Sequence, residues 1–300
     1  MRFIYTLIMA LWSFAATAQT KVDIVTRLGP TTAQYQFLAQ FVEELNKSQT
    51  SYEYRIAVVP GAEGETAFYR FLSINEEEKR DAILYTSQVT IADPRHNRIA
   101  DFNYITTLSI SVAAIMANKE TAVSIDELVA KIRSKEITYY ASTVSSNTGK
   151  MLNQIFLKKY GLENKVKQIN YANPQEILRA VLTKEADYTI FNPDTMHTHL
   201  NVLALANSYR AKGYPDIKTG KELDFNEFNY NAFSLFAIPK TNKKLYDSTR
   251  ESFTKACMSE SVQQIIELRK YIGVCMNHDQ IVKELIKERD MLIKSELKEK

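Results

Sequence analysis

The stretch Ile137-Thr138-Tyr139-Tyr140-Ala141-Ser142-Thr143-Val144-Ser145-Ser146-Asn147-Thr148-Gly149 decides how this chain is read. Its first four residues are β-branched or aromatic and fit a buried strand. The next nine carry five hydroxyls and one amide. Beyond them Met151, Leu152, Ile155, Phe156 and Tyr160 recur at helical spacing, and Gly161 stands where a left-handed residue closes a helix. The predicted helix therefore begins inside the hydroxyl-rich loop. A helix start presents unpaired N–H groups and partial positive charge, so the loop is a candidate anion site, with Ser146, Asn147 and Thr148 adding side-chain hydrogen bonds. Those residues equally suit plain capping of the helix. The loop alone leaves both readings open.

Working outward, the pattern repeats. Residues 22–26 read as a strand, Gly29 and Pro30 as a turn, and Tyr35, Leu38, Val42 and Leu45 as one face of a helix. Residues 54–59 and 82–85 are further strands, the first ended by Pro60-Gly61-Ala62-Glu63-Gly64 and the second by Thr86-Ser87. The charged run Glu76-Glu77-Glu78-Lys79-Arg80 reads as a solvated loop. Such alternation predicts a mostly parallel sheet with helices on both faces, which binds ligands beyond the carboxyl ends of its strands. Thr31, Thr32, Thr86, Ser87 and the loop 142–148 all fall there. The pattern then restarts. Ser124-Ile125-Asp126-Glu127 and Asn173-Pro174-Gln175-Glu176 are capping boxes, the second with Pro at the first helical position. Strand signals at 112–116, 166–169, 188–192 and 231–238 predict a second sheet and a return. The last helix carries Ile281, Val282, Leu285, Ile286, Leu292 and Ile293, with a Lys/Glu-rich face predicted to be solvated.

Met1-Arg2, an apolar run over 3–14 and Ala16-Thr17-Ala18 have the form of a secretory signal peptide, cleaved between Ala18 and Gln19. No later run reaches the ~20 apolar residues of a membrane span, and no Cys follows the signal to carry a lipid. The formal charge is +3, or +2 once Arg2 is removed, and its signs are interspersed, which gives no electrostatic case for nucleic acid or a membrane surface. Cys257 and Cys275, the two cysteines, suit one disulfide in an exported protein or two buried thiols, and their spacing is not that of a zinc or redox motif. Four histidines, His96, His197, His199 and His278, make no catalytic constellation, and His197-Thr198-His199 lacks the partners of a metal site. Gly-x-Ser-x-Gly, phosphate-loop and dinucleotide motifs are absent. No cofactor is called for, and the residues read as a binding site rather than an enzyme.

Several short pieces in order resemble one family, the Bug-type periplasmic solute-binding receptors of tripartite tricarboxylate transporters. Residues 25–39 lie where that family has a strand, a Pro-Gly-Gly loop and a helix, and Pro60-Gly61-Ala62-Glu63-Gly64 is similar to its Pro-Gly-Ala-Gly-Gly turn. Asp101-Phe102 is similar to its Asp-Phe, Thr138-Tyr139-Tyr140-Ala141-Ser142 to its Leu-Thr-Tyr-Ala-Ser, and Ile169-Asn170-Tyr171 to its Val-Pro-Tyr. Ala186-Asp187 and Tyr214-Pro215-Asp216-Ile217-Lys218-Thr219 resemble its Val-Asp and Leu-Pro-Asp-Val-Pro-Thr. The resemblance implies an α/β chain of the class II periplasmic-binding-protein fold, with two lobes joined by two crossing strands. It places lobe one at 19–112 and 233–300 and lobe two at 113–232.

The resemblance further implies a monomeric periplasmic receptor that captures a small organic carboxylate between its lobes and delivers it to membrane transporter subunits. The ligand loops correspond to Gly29, Pro30, Thr31, Thr32 and Gln34 and to Ser142, Thr143, Ser146, Asn147 and Thr148; Thr86, Ser87, Tyr171, Asn173 and Asn192 complete the candidate set. Two departures stand out. Gly29-Pro30-Thr31 replaces Pro-Gly-Gly with Gln34 at the acidic position, and Val144 and Ser146 replace glycines. With no arginine cluster in these loops, the expectation is that helix-start N–H groups hold the carboxylate while Arg27 faces solvent. A ligand-sensing module for a signalling partner shares this fold. A hydrolase using Ser142 or Ser146 needs a base, for which Lys150 is the near candidate.

Overall fold

Alternating apolar runs and amphipathic segments produce ten strands and nine α-helices among the residues that the computed structural model describes, 19–296 without 31, 50, 144–146, 194–197, 208–209 and 226. The chain first forms β1 (Thr20–Thr26), α1 (Ala33–Lys47), β2 (Tyr52–Val58), α2 (Glu65–Glu76), β3 (Ala82–Ser87), α3 (Gln88–Ala92) and β4 (Phe102–Ser111). Next come β5 (Ala114–Asn118), α4 (Ile125–Ser134), β6 (Tyr139–Thr143), α5 (Asn147–Lys159), β7 (Lys167–Tyr171), α6 (Pro174–Leu182), β8 (Tyr188–Phe191) and β9 (Leu200–Leu205). It ends in β10 (Ala232–Pro239), α7 (Lys243–Cys257), α8 (Glu260–Leu268) and α9 (His278–Glu296).

Two five-stranded sheets result, ordered β2-β1-β3-β10-β4 and β7-β6-β8-β5-β9. They share one plan. Three parallel strands are followed by a strand that arrives from the other sheet and pairs antiparallel on both sides. In the first sheet that strand is β10, whose Leu235 faces Thr86 of β3 and Thr107 of β4. Its side chains alternate between two cores. Phe236 and Ile238 join Phe41 of α1 and Phe253 of α7, while Leu235 and Ala237 join Phe68 and Phe71 of α2. A strand covered on both faces reads as a continuous apolar run, as Leu235 to Pro239 does.

Both capping boxes close as the sequence predicts. The Ser124 hydroxyl accepts the Glu127 N–H at 3.1 Å while Glu127 accepts the Val123 N–H at 2.8 Å. Asn173 accepts the Glu176 N–H at 3.0 Å while Glu176 accepts the Ala172 N–H at 2.9 Å. Two strands, β4 and β9, have no counterpart in the sequence reading. The polar residues of β4 hide it: Thr106, Thr107 and Ser109 are buried, and Thr107 Oγ1 donates to the Val274 carbonyl at 2.6 Å and accepts the Met276 N–H at 3.1 Å. The last helix also departs from expectation. Its inner face runs Ile281, Leu285 and Glu288, all buried, whereas Ile286 and Ile293 are exposed.

The two passages between the sheets lie side by side. The buried Asn207 amide accepts the Ala113 N–H at 3.0 Å and donates to the carbonyls of Ser111 at 3.2 Å and Tyr230 at 3.0 Å. No helix among the described residues is long and apolar enough to cross a membrane.

Cys257 at the end of α7 is bonded to Cys275, 18 residues on, which resolves the choice between bridge and free thiols. A loop of this size removes about 3 kcal/mol of unfolded-chain freedom. The Cys257→Ser, Cys275→Ser double variant is therefore expected to lose stability of that order in urea titration. Unreduced protein should take up no alkylating reagent; two labelled thiols by mass spectrometry would contradict the bridge.

Candidate functional site

A cleft of about 330 Å³ lies at the carboxyl ends of β1 and β3. Thr26, Arg27 and Leu28 come to it from β1, Thr32 and Gln34 from the start of α1, and Thr86, Ser87 and Gln88 from the end of β3 and the start of α3. Ser111 of β4 and Tyr230, Phe233 and Ser234 in and beside β10 form its inner wall, and Thr148 reaches in from α5, beyond the second sheet. A larger hollow of about 660 Å³ shares none of these residues. It lies between α7 and the start of α9, with Ile105 of β4, and so away from the strand ends where sheets of this type bind ligands.

Thr32 sets up the first wall. Its hydroxyl accepts the Tyr35 N–H at 3.2 Å and donates to the Gly29 carbonyl at 2.9 Å, closing the turn and capping α1. Arg27 is exposed, yet it lines the cleft, which corrects the expectation that it only faces solvent. Its stem lies across Gly64, where an added Cβ would meet Arg27 Cδ at 3.0 Å. Gly64 has φ +107°, a backbone state that suits glycine. The glycine turn thus seats the arginine.

The inner wall is a closed hydrogen-bond hub. Tyr230 Oη accepts from Thr148 Oγ1 at 3.3 Å and from Gln88 Nε2 at 3.3 Å, and donates to Glu288 Oε1 at 3.3 Å. One phenol proton and two lone pairs are then fully used. Gln88 is fixed in turn by donating to the Asn231 carbonyl at 2.7 Å and accepting the Phe233 N–H at 2.6 Å. The hub joins α3 and β10 of the first sheet's side to α5 of the second, with α9 beneath. Glu288 is 5 % exposed, and burial pushes its carboxyl up from 4.5 to about 7 against the hydrogen bonds of Gln88 and Tyr230 and the charge of Lys287. Burial and the neighbouring Glu288 raise the Tyr230 phenol as well.

Of the sequence-selected residues, the structure brings Thr32, Gln34, Thr86, Ser87 and Thr148 together in the cleft. Gly29 and Pro30 form the turn before α1 without lining it. Ser142, 2 % exposed, directs its hydroxyl to the Thr143 carbonyl at 3.5 Å, an arrangement unlike an accessible nucleophile, and Thr143 is also buried. Tyr171 donates to Glu185 at 3.1 Å, Asn173 caps α6, and half-buried Asn192 follows β8; none of them lines the cleft. Thr31 and Ser146 lie outside the described residues, as does the side chain of Asn147. Sequence reasoning missed Gln88, Tyr230 and Glu288. For Glu288 a signal exists, since it follows Leu285 and Ile281 at helical spacing and so shares the inner face of the last helix.

The raised Glu288 carboxyl carries a stability consequence. Because the folded value exceeds the unfolded one, its contribution is fully present below about pH 4.5 and is lost as pH rises through about 7. The shift corresponds to about 3 kcal/mol. Urea titrations at pH 5 and pH 8 should show wild type losing most of that, about 2.5 kcal/mol, beyond any loss of Glu288→Gln, which stays neutral. Equal losses would mean that Glu288 ionises without penalty.

Residues 84–297 match the family described as the tripartite tricarboxylate transporter family receptor. Among solved structures, the chain is similar to MatC from Rhodopseudomonas palustris with bound malate, at 14 % identity and TM-score 0.67, covering 92 % of this chain and 99 % of that one. A TctC solute-binding protein from Polaromonas matches at 15 % identity and TM-score 0.73, covering 92 % and 98 %. An R. palustris protein with adipate matches at 13 % identity and TM-score 0.72, covering 92 % and 95 %. Identities this low show a shared fold, the two-lobed α/β fold of periplasmic binding proteins. No curated protein matches the chain in sequence. The family match extends over more than half of the residues, and the chain belongs to the receptor family of the tripartite tricarboxylate transporters, the Bug-type solute-binding receptors.

Proposed function

We propose that this protein is an exported periplasmic receptor that captures a small organic carboxylate in the cleft and delivers it to a tripartite membrane transporter. The observation that carries this reading is the meeting of two helix starts at one cleft: Thr32 at α1 and Thr148 at α5, with Arg27 beside them. Helix starts supply N–H donors and partial positive charge, and arginine supplies a full one. The Gln34 N–H, in the first turn of α1, has no partner among the described residues, so a carboxylate has a donor to meet. Structural relatives hold malate and adipate, both carboxylates. Lobe one, on this reading, is 19–112 with 233–300, lobe two is 113–232, and the signal sequence is removed before Gln19.

Calorimetry against a panel of organic acids tests the binding mode. On binding, the Thr148 hydroxyl would turn from Tyr230 to the carboxylate, so Thr148→Ala should cost one hydrogen bond to a charged group, roughly 1.5–3 kcal/mol or about 10- to 150-fold in affinity. Arg27→Ala, whose charge is exposed to water, should cost about 10-fold or less. If Arg27→Ala abolished binding while Thr148→Ala left it intact, a salt bridge would replace the helix-start mechanism.

Ligand should also draw the lobes together about the two crossings by rigid-body rotation. Small-angle scattering of secreted protein, with a mass beginning at Gln19, should show a smaller radius of gyration at saturating ligand. An unchanged radius with a ligand proven by calorimetry would mean a preclosed cleft.

A further inference from the structure

Beside the cleft, α2 begins at Glu65 and α3 ends before Asp93, which brings a glutamate, an aspartate and His96 into one cluster. Each offers one ligand atom, and those atoms lie within 4.8 Å of one another. His96 Nε2 is 3.9 Å from Glu65 Oε1, too far for a hydrogen bond. That nitrogen is buried and without a hydrogen-bond partner, and the side chain as a whole is only 10 % exposed. The ring is held there by Phe68 and Tyr69, whose centroids lie 5.3 and 5.9 Å away. A buried, unsatisfied imidazole nitrogen is costly unless something meets it.

We propose that Glu65, Asp93 and His96 form a site for a divalent transition cation of the zinc class. Neutral imidazole with two carboxylates suits such ions, whose ligands sit at ~2.0–2.2 Å. Ligand atoms around a tetrahedral ion of that size are roughly 3.4 Å apart, so side-chain rotation must close gaps that reach 3.9 Å between His96 and Glu65 and up to 4.8 Å across the cluster. One imidazole with two carboxylates leaves further positions to water. Arg95 now holds the cationic place: its guanidinium donates to Glu65 at 2.9 Å and to both Asp93 oxygens at 3.0 Å, yet it is 68 % exposed and free to swing into water. The arginine and the metal ion are thus competitors for the same two carboxylates. An ion there would tie the start of α2 to the end of α3, two elements that flank the cleft: Gly64, next to Glu65, seats Arg27, and Gln88 begins α3.

The test is titration of full mature protein, stripped with chelator, using Zn²⁺ and then Co²⁺ as a spectroscopic probe. The expected result is one ion per chain with micromolar affinity and visible Co²⁺ absorption. His96→Gln should weaken binding by more than about 10-fold, since even outer partners of metal ligands cost 10- to 100-fold. Arg95→Ala should tighten binding, because it removes the competitor and leaves all three ligands. Circular dichroism checks that both variants fold. Absence of stoichiometric binding to wild type and to Arg95→Ala alike would overturn the site, as would an affinity that His96→Gln leaves unchanged.

Discussion

One buried amide side chain holds the molecule's two halves in register. Asn207 bonds Ala113 and Ser111 on the outgoing passage and Tyr230 on the returning one, so the two stretches between the sheets are fixed to each other. Its bonds to Ala113 and Tyr230 are fully buried, where those backbone groups would otherwise lack water or a partner. Fixing the passages fixes where β4 and β10 enter the cleft, and with them Ser111, Tyr230 and Phe233 of its inner wall. Relative movement of the two sheets must then take place around this amide rather than through it.

The cleft's polarity follows from what lies behind it. Tyr230 meets Thr148 and Gln88 with its lone pairs while Glu288 accepts its proton from below. Glu288 is in turn kept from water by its place on the inner face of α9, and a helix near the end of the chain thereby supports the cleft's wall from behind. Arg27 depends in a similar way on the glycine turn, since its stem occupies the space that a side chain at Gly64 would fill. Two of the cleft's chemical groups are thus positioned by elements distant in sequence.

This explains what the sequence could and could not disclose. Helices with a clean apolar stripe and a capping box, such as α4 and α6, were legible because their signals are local. So were the helix start that carries Thr32 and the strand end that carries Thr86 and Ser87. β4 was not, because its buried Thr107 finds partners at Val274 and Met276, far along the chain, and polar residues in a strand normally signal an exposed face. Tyr230 was hidden for the same reason, and the spacing that puts Glu288 on an inner helix face does not name its partner, because the two meet across 58 residues. Tyr171 and Asn173 entered the candidate set with the family resemblance, and in the structure their polar groups are engaged by Glu185 and Glu176.

The placing of β10 bears on how the chain is made. All five strands of the second sheet lie between Ala114 and Leu205, so that sheet can be completed as soon as this segment has emerged. The first sheet cannot: β3 and β4 meet only through β10, which begins at Ala232. Until then β3 has an unpaired edge and β4 has no neighbour in its sheet. Pairings of such long sequence separation form slowly. The half that starts the polypeptide therefore cannot complete its sheet until the half in the middle has been made.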